Sequence, residues 1–236
     1  YTVQTAAPVT PSIAGNGFSN TATPTISGTA EANSTVTVVV GGATYSLTAD
    51  AQGAWSVNTA NATPTSGTYT AISGDTNAVT VTTTDAAGNS SNATSNLVFD
   101  NEVPTFSAAN STPADNATGF GITRDVVVKL SEALHASSDL TKVYLKEVST
   151  GNTVAAAITL NSDGNIVINP NANLGYSTAY YVSWDANALK DVAGNAMSAV
   201  TDTITFNFST ESAPVAPTPA PTPAPTEPVT EAPTPA

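Results

Sequence analysis

Few side chains in this 236-residue sequence have types suited to chemistry. His135 is the one histidine and there is no cysteine, which excludes disulfides, thiolate metal sites and thiol nucleophiles. A Ser-His-Asp triad would have to use that imidazole, and in "SEALHASS" it reads as a surface residue of a loop. The chemistry that remains is that of oxygen: 18 Asp and Glu stand against five Lys and Arg. Asp185 and Asp191 could share acid/base work, but the residues around them spell a solvated turn and supply no cleft. Hard oxygen donors of this kind are also what Ca²⁺ takes. Tyr180 and Tyr181 are consecutive and point to opposite faces of any strand, which makes Tyr181 a candidate ligand-facing aromatic.

Charge narrows the partners. The formal net charge is −13, and Arg124, Lys129, Lys142, Lys146 and Lys190 are the only cations, so the first hundred residues have none. Such a surface repels phosphate backbones and anionic headgroups, which speaks against nucleic acid and membrane surfaces as partners. No apolar run has the length of a membrane span, so direct membrane insertion is not expected. Tyr1-Thr2-Val3-Gln4 is neither a charged n-region nor an apolar h-region, and the sequence reads as a piece of something longer.

The elements that must position these groups are strands. "STVTVVVGGATYSLT" alternates with a period of two, placing Val36, Val38 and Val40 on one face, turning at Gly41-Gly42 and returning with Tyr45 and Leu47. "GAWSVN", "GTYTAIS" and "NAVTVTTTD" follow, with Trp55, Val57, Tyr69, Val79 and Val81 as core residues, and "SNLVFD" closes the set near Asp100. After Pro104 the pattern restarts. Its inward faces are Val126/Val128/Leu130, Val143/Leu145, Tyr180/Val182/Trp184 and Ile204/Phe206/Phe208, with a helical turn at "SSDLTK" capped by Ser137 or Ser138. About seven strands with turns every ~8–12 residues predict a second β-sandwich. From Ser212 the chain becomes "SAPVAPTPAPTPAPTEPVTEAPTPA", a polyproline-II-like linker in composition. Thr218, Thr222, Thr226, Thr230 and Thr234 recur every fourth position and would visit all faces of such a helix, as an O-glycan coat requires. A tandem low-complexity expansion explains the same spacing.

The pentapeptide "DAAGN" at 85–89 returns as "DVAGN" at 191–195. With "PTISGTA", the Gly-Ala-Trp before a strand, and "TDAAGNSS" before the last strand, residues 5–103 resemble the bacterial Ig-like repeat of large surface adhesins, RTX biofilm adhesins among them. Residues 104–209 resemble a second bacterial Ig-like type, of S-layer and surface proteins, through "STPADNATG", "VVVKLSEAL" and "LKDVAGNAMS". The resemblance implies an all-β chain of two tandem Ig-like sandwiches, at 5–103 and 104–211, preceded by the end of another repeat at 1–4 and followed by the Pro/Thr-rich linker at 212–236. It implies that Asp-x-Ala-Gly-Asn is the tight turn before each last strand. It further implies an extracellular, cell-surface, non-catalytic spacer, stalk or fibre unit whose partners are neighbouring Ig-like domains. The alternative is a glycan- or protein-binding module of a secreted protein. In such adhesins calcium stiffens the junctions, and Asp85, Asn89, Asp100, Asn101 and Glu102 lie on a turn and a linker that adjacent units bring together. They are the expected calcium ligands; an Asx turn beside a polar linker is the competing reading.

Overall fold

A computed structural model describes residues 5–15, 17–72, 74 and 76–215. The threonines at 218–234, and residues 1–4 with their reading as the end of a preceding repeat, lie outside the described residues. The first group of strands is β1 (Phe18–Ser19), β2 (Thr25–Thr29), β3 (Thr35–Val40), β4 (Ala43–Thr48), β5 (Ala54–Asn58), β6 (Ser66–Gly67), β7 (Thr76–Thr84) and β8 (Ser90–Phe99). The second is β9 (Ala117–Phe120), β10 (Val126–Val128), β11 (Val143–Glu147), β12 (Ala156–Leu160), β13 (Ile166–Pro170), β14 (Ala179–Trp184) and β15 (Asn207–Thr210).

In the first sandwich a sheet of order β1-β8-β7-β3-β4-β6 faces the pair β2-β5. The alternation in "TVTVVV" buries Val36, Val38 and Val40 against Ile26, Trp55 and Val57 of the small sheet, while Thr35 and Thr37 face outward. Gly41 and Gly42 both have positive φ (54° and 81°), the conformation a two-residue hairpin demands and a Cβ resists. Two strands differ from the pattern reading. Of "GTYTAIS" only Gly67, the second residue of β6, is in a strand among the described residues, and Tyr69 packs half-buried against the core. β8 begins at Ser90 and not at "SNLVFD", because β7 needs backbone partners along its whole length and pairs from Thr84↔Ser90 to Thr76↔Val98.

In the second sandwich β10-β13-β12 faces β11-β14-β15-β9 around a separate core. Its centre is aromatic: Phe206 lies 4.8 Å from Phe106, and Phe208 lies 5.1 Å from Phe120 and 5.8 Å from Tyr180, between ring centroids. Ile204, expected inside, is 75% exposed. The Asp202 carboxylate accepts the N–H groups of Ile204 and Thr205, and this local turn holds the strand back to Asn207. The helical turn at Leu140–Lys142 is capped by the Asp139 side chain, which accepts the Thr141 N–H, and not by Ser137 or Ser138. A carboxylate placed there accepts both that N–H and the Thr141 hydroxyl.

Each sandwich is traversed end to end. The first is entered at Pro8, whose carbonyl accepts the Ser91 hydroxyl at the start of β8, and is left at Phe99, the last residue of that ten-residue strand. The second is entered at Phe106, packed on Trp184 at the far end of β14, and is left at Thr210, beside Thr178 just before β14 begins. No helix among the described residues is long and apolar enough to cross a membrane.

Candidate functional site

The repeated pentapeptide is a turn built by its first side chain. In 85–89 one Asp85 oxygen accepts the N–H groups of Ala87 and Asn89, and the other accepts the Asn89 amide. These bonds, with the Asn89 side chain foremost, hold the Asp85 carboxyl below the ordinary carboxylate range. In 191–195 one Asp191 oxygen accepts the N–H groups of Gly194 and Asn195, and the other takes the Asn195 amide at 2.7 Å. Gly194 and Gly88 supply the positive φ (96° and 90°) that closes each turn. The same geometry occurs at two places the pentapeptide spelling did not disclose: Asp50 accepts from Gln52 and Ala54, and Asn161 accepts from Asp163 and Asn165.

The expected calcium ligands do not converge. Asp85 and Asn89 stand before β8 and Asp100 after it, and ten residues at about 3.3 Å each put roughly 33 Å between them. A last strand carries the chain away from its own turn, so a linker meets the turn of the following sandwich. Accordingly Asp100 comes together with Asp191 and Glu132, each offering a carboxylate oxygen within 4.8 Å of the others. Asn195 ties the two sandwiches: its amide donates to the Asp100 carbonyl at 2.9 Å as well as to Asp191. Asn20 of the first sandwich abuts the same turn, its amide nitrogen 3.6 Å from where a Gly194 side chain would begin. Asn101 and Glu102 are exposed on the linker; the Glu102 N–H donates to Asp100. Asp191 is almost fully buried, at 1% exposure. Burial, then the charges of Asp100, Asp191 and Glu102, raise the Glu132 carboxyl above its ordinary value. The Lys142–Asp139 contact at 3.4 Å is the sole ion pair among the described residues, so no cation balances this cluster there. Asp191 was legible as half of the repeated turn. Glu132, inside "KLSEAL", had no signal beyond its charge.

The other candidates resolve locally. Tyr181 is not a ligand-facing aromatic: β14 lies inside its sheet and buries every residue from Tyr180 to Trp184. His135 Nδ1 lies 2.7 Å from the Ser137 hydroxyl, within its own turn. Asp185 accepts the Tyr144 hydroxyl and is not paired with Asp191.

Two family models match, both described as a bacterial Ig-like domain, over residues 6–101 and 100–210. The chain belongs to the bacterial Ig-like domains, as a tandem pair. Its fold is similar to that of a Ca²⁺-stabilized adhesin that helps an Antarctic bacterium reach out and bind ice, at 23% identity, with 89% of this chain and 49% of that one covered and a TM-score of 0.30. A bacterial ice-binding adhesin of 1.5 MDa gives 19% identity, 85% and 62% coverage and a TM-score of 0.30. The BSP domain of a biofilm-associated protein gives 17%, 88% and 30%, and 0.27. The chain spans less than two thirds of each of these structures. No curated protein matches the sequence.

Proposed function

We propose that the tandem pair is a non-catalytic spacer or fibre-building unit of an extracellular surface adhesin or filament, and that Ca²⁺ fastens its central junction. The observation that carries this reading is the junction: three carboxylates from the linker and the following sandwich converge at the point where one unit hands the chain to the next. End-to-end traversal of each sandwich supports it, because units crossed this way can be strung in line.

The donor set fits calcium. Ca²⁺–oxygen distances of about 2.3–2.6 Å allow ligands on opposite sides of the ion to lie roughly 4.6–5.2 Å apart, and the three carboxylate oxygens lie within 4.8 Å of one another. The site has hard oxygen and no nitrogen or sulfur ligand. Asp100, Glu132 and Asp191 would hold the ion, with Asn101 and Glu102 alongside on the linker; Asp191 keeps a free lone pair after its turn bonds. Bound there, the ion neutralises carboxylates that otherwise repel, and it joins two sandwiches whose shared contact includes the Asn195–Asp100 hydrogen bond. The linker then becomes a strut. Burial of Tyr181 removes the residue on which a glycan-binding role rested.

Calorimetric titration of the whole chain with calcium, beside Asp191→Asn, tests the reading. An affinity of about 10⁻⁴–10⁻³ M, in the range of extracellular modules, is expected for the native chain. The variant should lose the binding heat. A native chain without calcium-dependent heat at millimolar concentration overturns the metal-fastened junction.

A further inference from the structure

The second sandwich has a strand edge that its own chain leaves open. β12 is the outer strand of β10-β13-β12. Asn171 donates to the Ala155 carbonyl and Asn161 to the Asn165 carbonyl, so in this register the odd-numbered residues bond to β13. The N–H and C=O groups of Ala156, Ile158 and Leu160 therefore point to the free side of the sheet, and no hydrogen bond closes them among the described residues. The side chains of these three lie half-buried on the inner face, packed against the core, while Ala157 and Thr159 are exposed on the outer face. Beside this edge, between β12 and β11, is an apolar cleft of about 420 Å³ lined by Leu140, Val143, Leu145, Val154, Ala156 and Ile158.

Several other edges are closed from within the chain. Ser12 and Ala14 donate to Thr29 and Ser27 along β2, and Thr112 exchanges two bonds with Val127 of β10. Along β11, Val154 donates to Leu145 and Glu147 donates to Asn152. On β5 the Asp50 carboxylate takes the Ala54 N–H, and the Asn58 carbonyl accepts from Asn61 and Ala62. β12 has no such cover, and neither a proline nor a charged side chain occurs from Asn152 to Ser162 to keep another strand away. In a chain of net charge −13, this neutral strip lets a second copy approach without setting like charges opposite one another.

We propose that β12 pairs with β12 of a second copy of this chain, antiparallel and centred on Ile158. Ile158 then faces Ile158 and Ala156 faces Leu160, so the outward donors and acceptors of all three residues find partners on both copies. Centred on Ala157 instead, Leu160 would face Val154, whose N–H is already bound to Leu145. The inner faces match in size, small Ala156 against large Leu160, and the partner's strand carries its apolar side chains over the mouth of the cleft. Such a contact uses the same patch on both copies and closes as a pair. Because the paired strands are antiparallel, the two chains cross the pair in opposite directions. On the spacer reading, that arrangement suits stalks that meet from facing surfaces. Five residues a side make a contact at the weak end of specific interfaces, so strength would come from many stalks engaged at once.

The native chain has no cysteine, so each single substitution gives a unique thiol. In the proposed register Ala157 faces Thr159 of the second copy as a non-hydrogen-bonded pair, with about 4.5 Å between Cα atoms, within disulfide reach. Full-length Ala157→Cys and Thr159→Cys chains, mixed and oxidised in chelator, should form the mixed disulfide at least about tenfold faster than either variant alone forms its own. Both positions are exposed, so the fold is kept. In sedimentation equilibrium, also in chelator, the native chain should dimerise more tightly as salt screens its net charge. Ala156→Pro removes an outward N–H that bonds nothing within the sandwich. It should keep the melting temperature and raise the dissociation constant about tenfold, for two lost hydrogen bonds per pair. Native chain that stays monomeric up to millimolar concentration, single-variant disulfides that form as fast as the mixed one, or an unchanged dissociation constant in Ala156→Pro overturns the proposal. Chelator keeps each of these outcomes separate from the metal-fastened junction.

Discussion

Asp85 and Asp191 begin the same pentapeptide, but only Asp191 is met by a linker carboxylate. Asp85 is satisfied by its own turn. Its depressed pKa means that the stability it contributes is present above the unfolded carboxylate value and is lost as pH falls through the folded one. Asp85→Ala should lower the melting temperature of the first sandwich, because the Ala87 and Asn89 N–H groups lose their charged acceptor. The calcium response should be unchanged; a lost response would make Asp85 a ligand. Glu132 has the opposite sign. Its raised pKa favours the protonated form in the folded junction, so its cost is absent in acid and grows as pH rises through the folded value. In chelator, the second sandwich should gain melting temperature as pH falls from neutral toward the Glu132 range, and Glu132→Gln should remove that gain. With calcium present the trend reverses, because protons displace the ion. Chelator-treated protein with the same pH profile as Glu132→Gln would contradict the repulsive cluster.

At the scale of elements, apolar alternation made the hairpin of Val36 to Leu47 and the faces of Val126/Val128 and Phe206/Phe208 readable from the sequence. It failed where other forces set the boundary. β8 is mostly Ser, Asn and Thr and exists because β7 requires a paired backbone. Ile204 is excluded by the Asp202 turn, and the burial of Tyr181 follows from the interior place of β14, which no local pattern reveals. The junction was half legible: the repeated turn announced itself, but its partner depends on which end of a strand the next sandwich meets. Phe206 is fully buried between Phe106 and Phe208. Phe206→Ala should cost about 3–5 kcal/mol. We propose that the units at 5–103 and 104–211 unfold separately, so scanning calorimetry should show the second transition fall and the first remain. Both transitions falling together would make the pair one cooperative body.

At the scale of the whole molecule the chain crosses each sandwich end to end, and the proposed calcium ion would fasten the two where one hands the chain to the next. If calcium binds only the folded junction, a concentration a hundredfold above the dissociation constant stabilises it by about 2.7 kcal/mol. That energy is spent where bending would otherwise occur, so stiffness is the property to measure. Spin labels at Thr48→Cys in the first sandwich and Thr159→Cys in the second, both on exposed positions of their strands, report the distance between the units by pulsed electron resonance. In chelator the distance distribution should be broad. Millimolar calcium should narrow it to one population, and Asp191→Asn should remain broad in calcium. A distribution of the same width with and without calcium in the native chain would contradict a metal-stiffened junction.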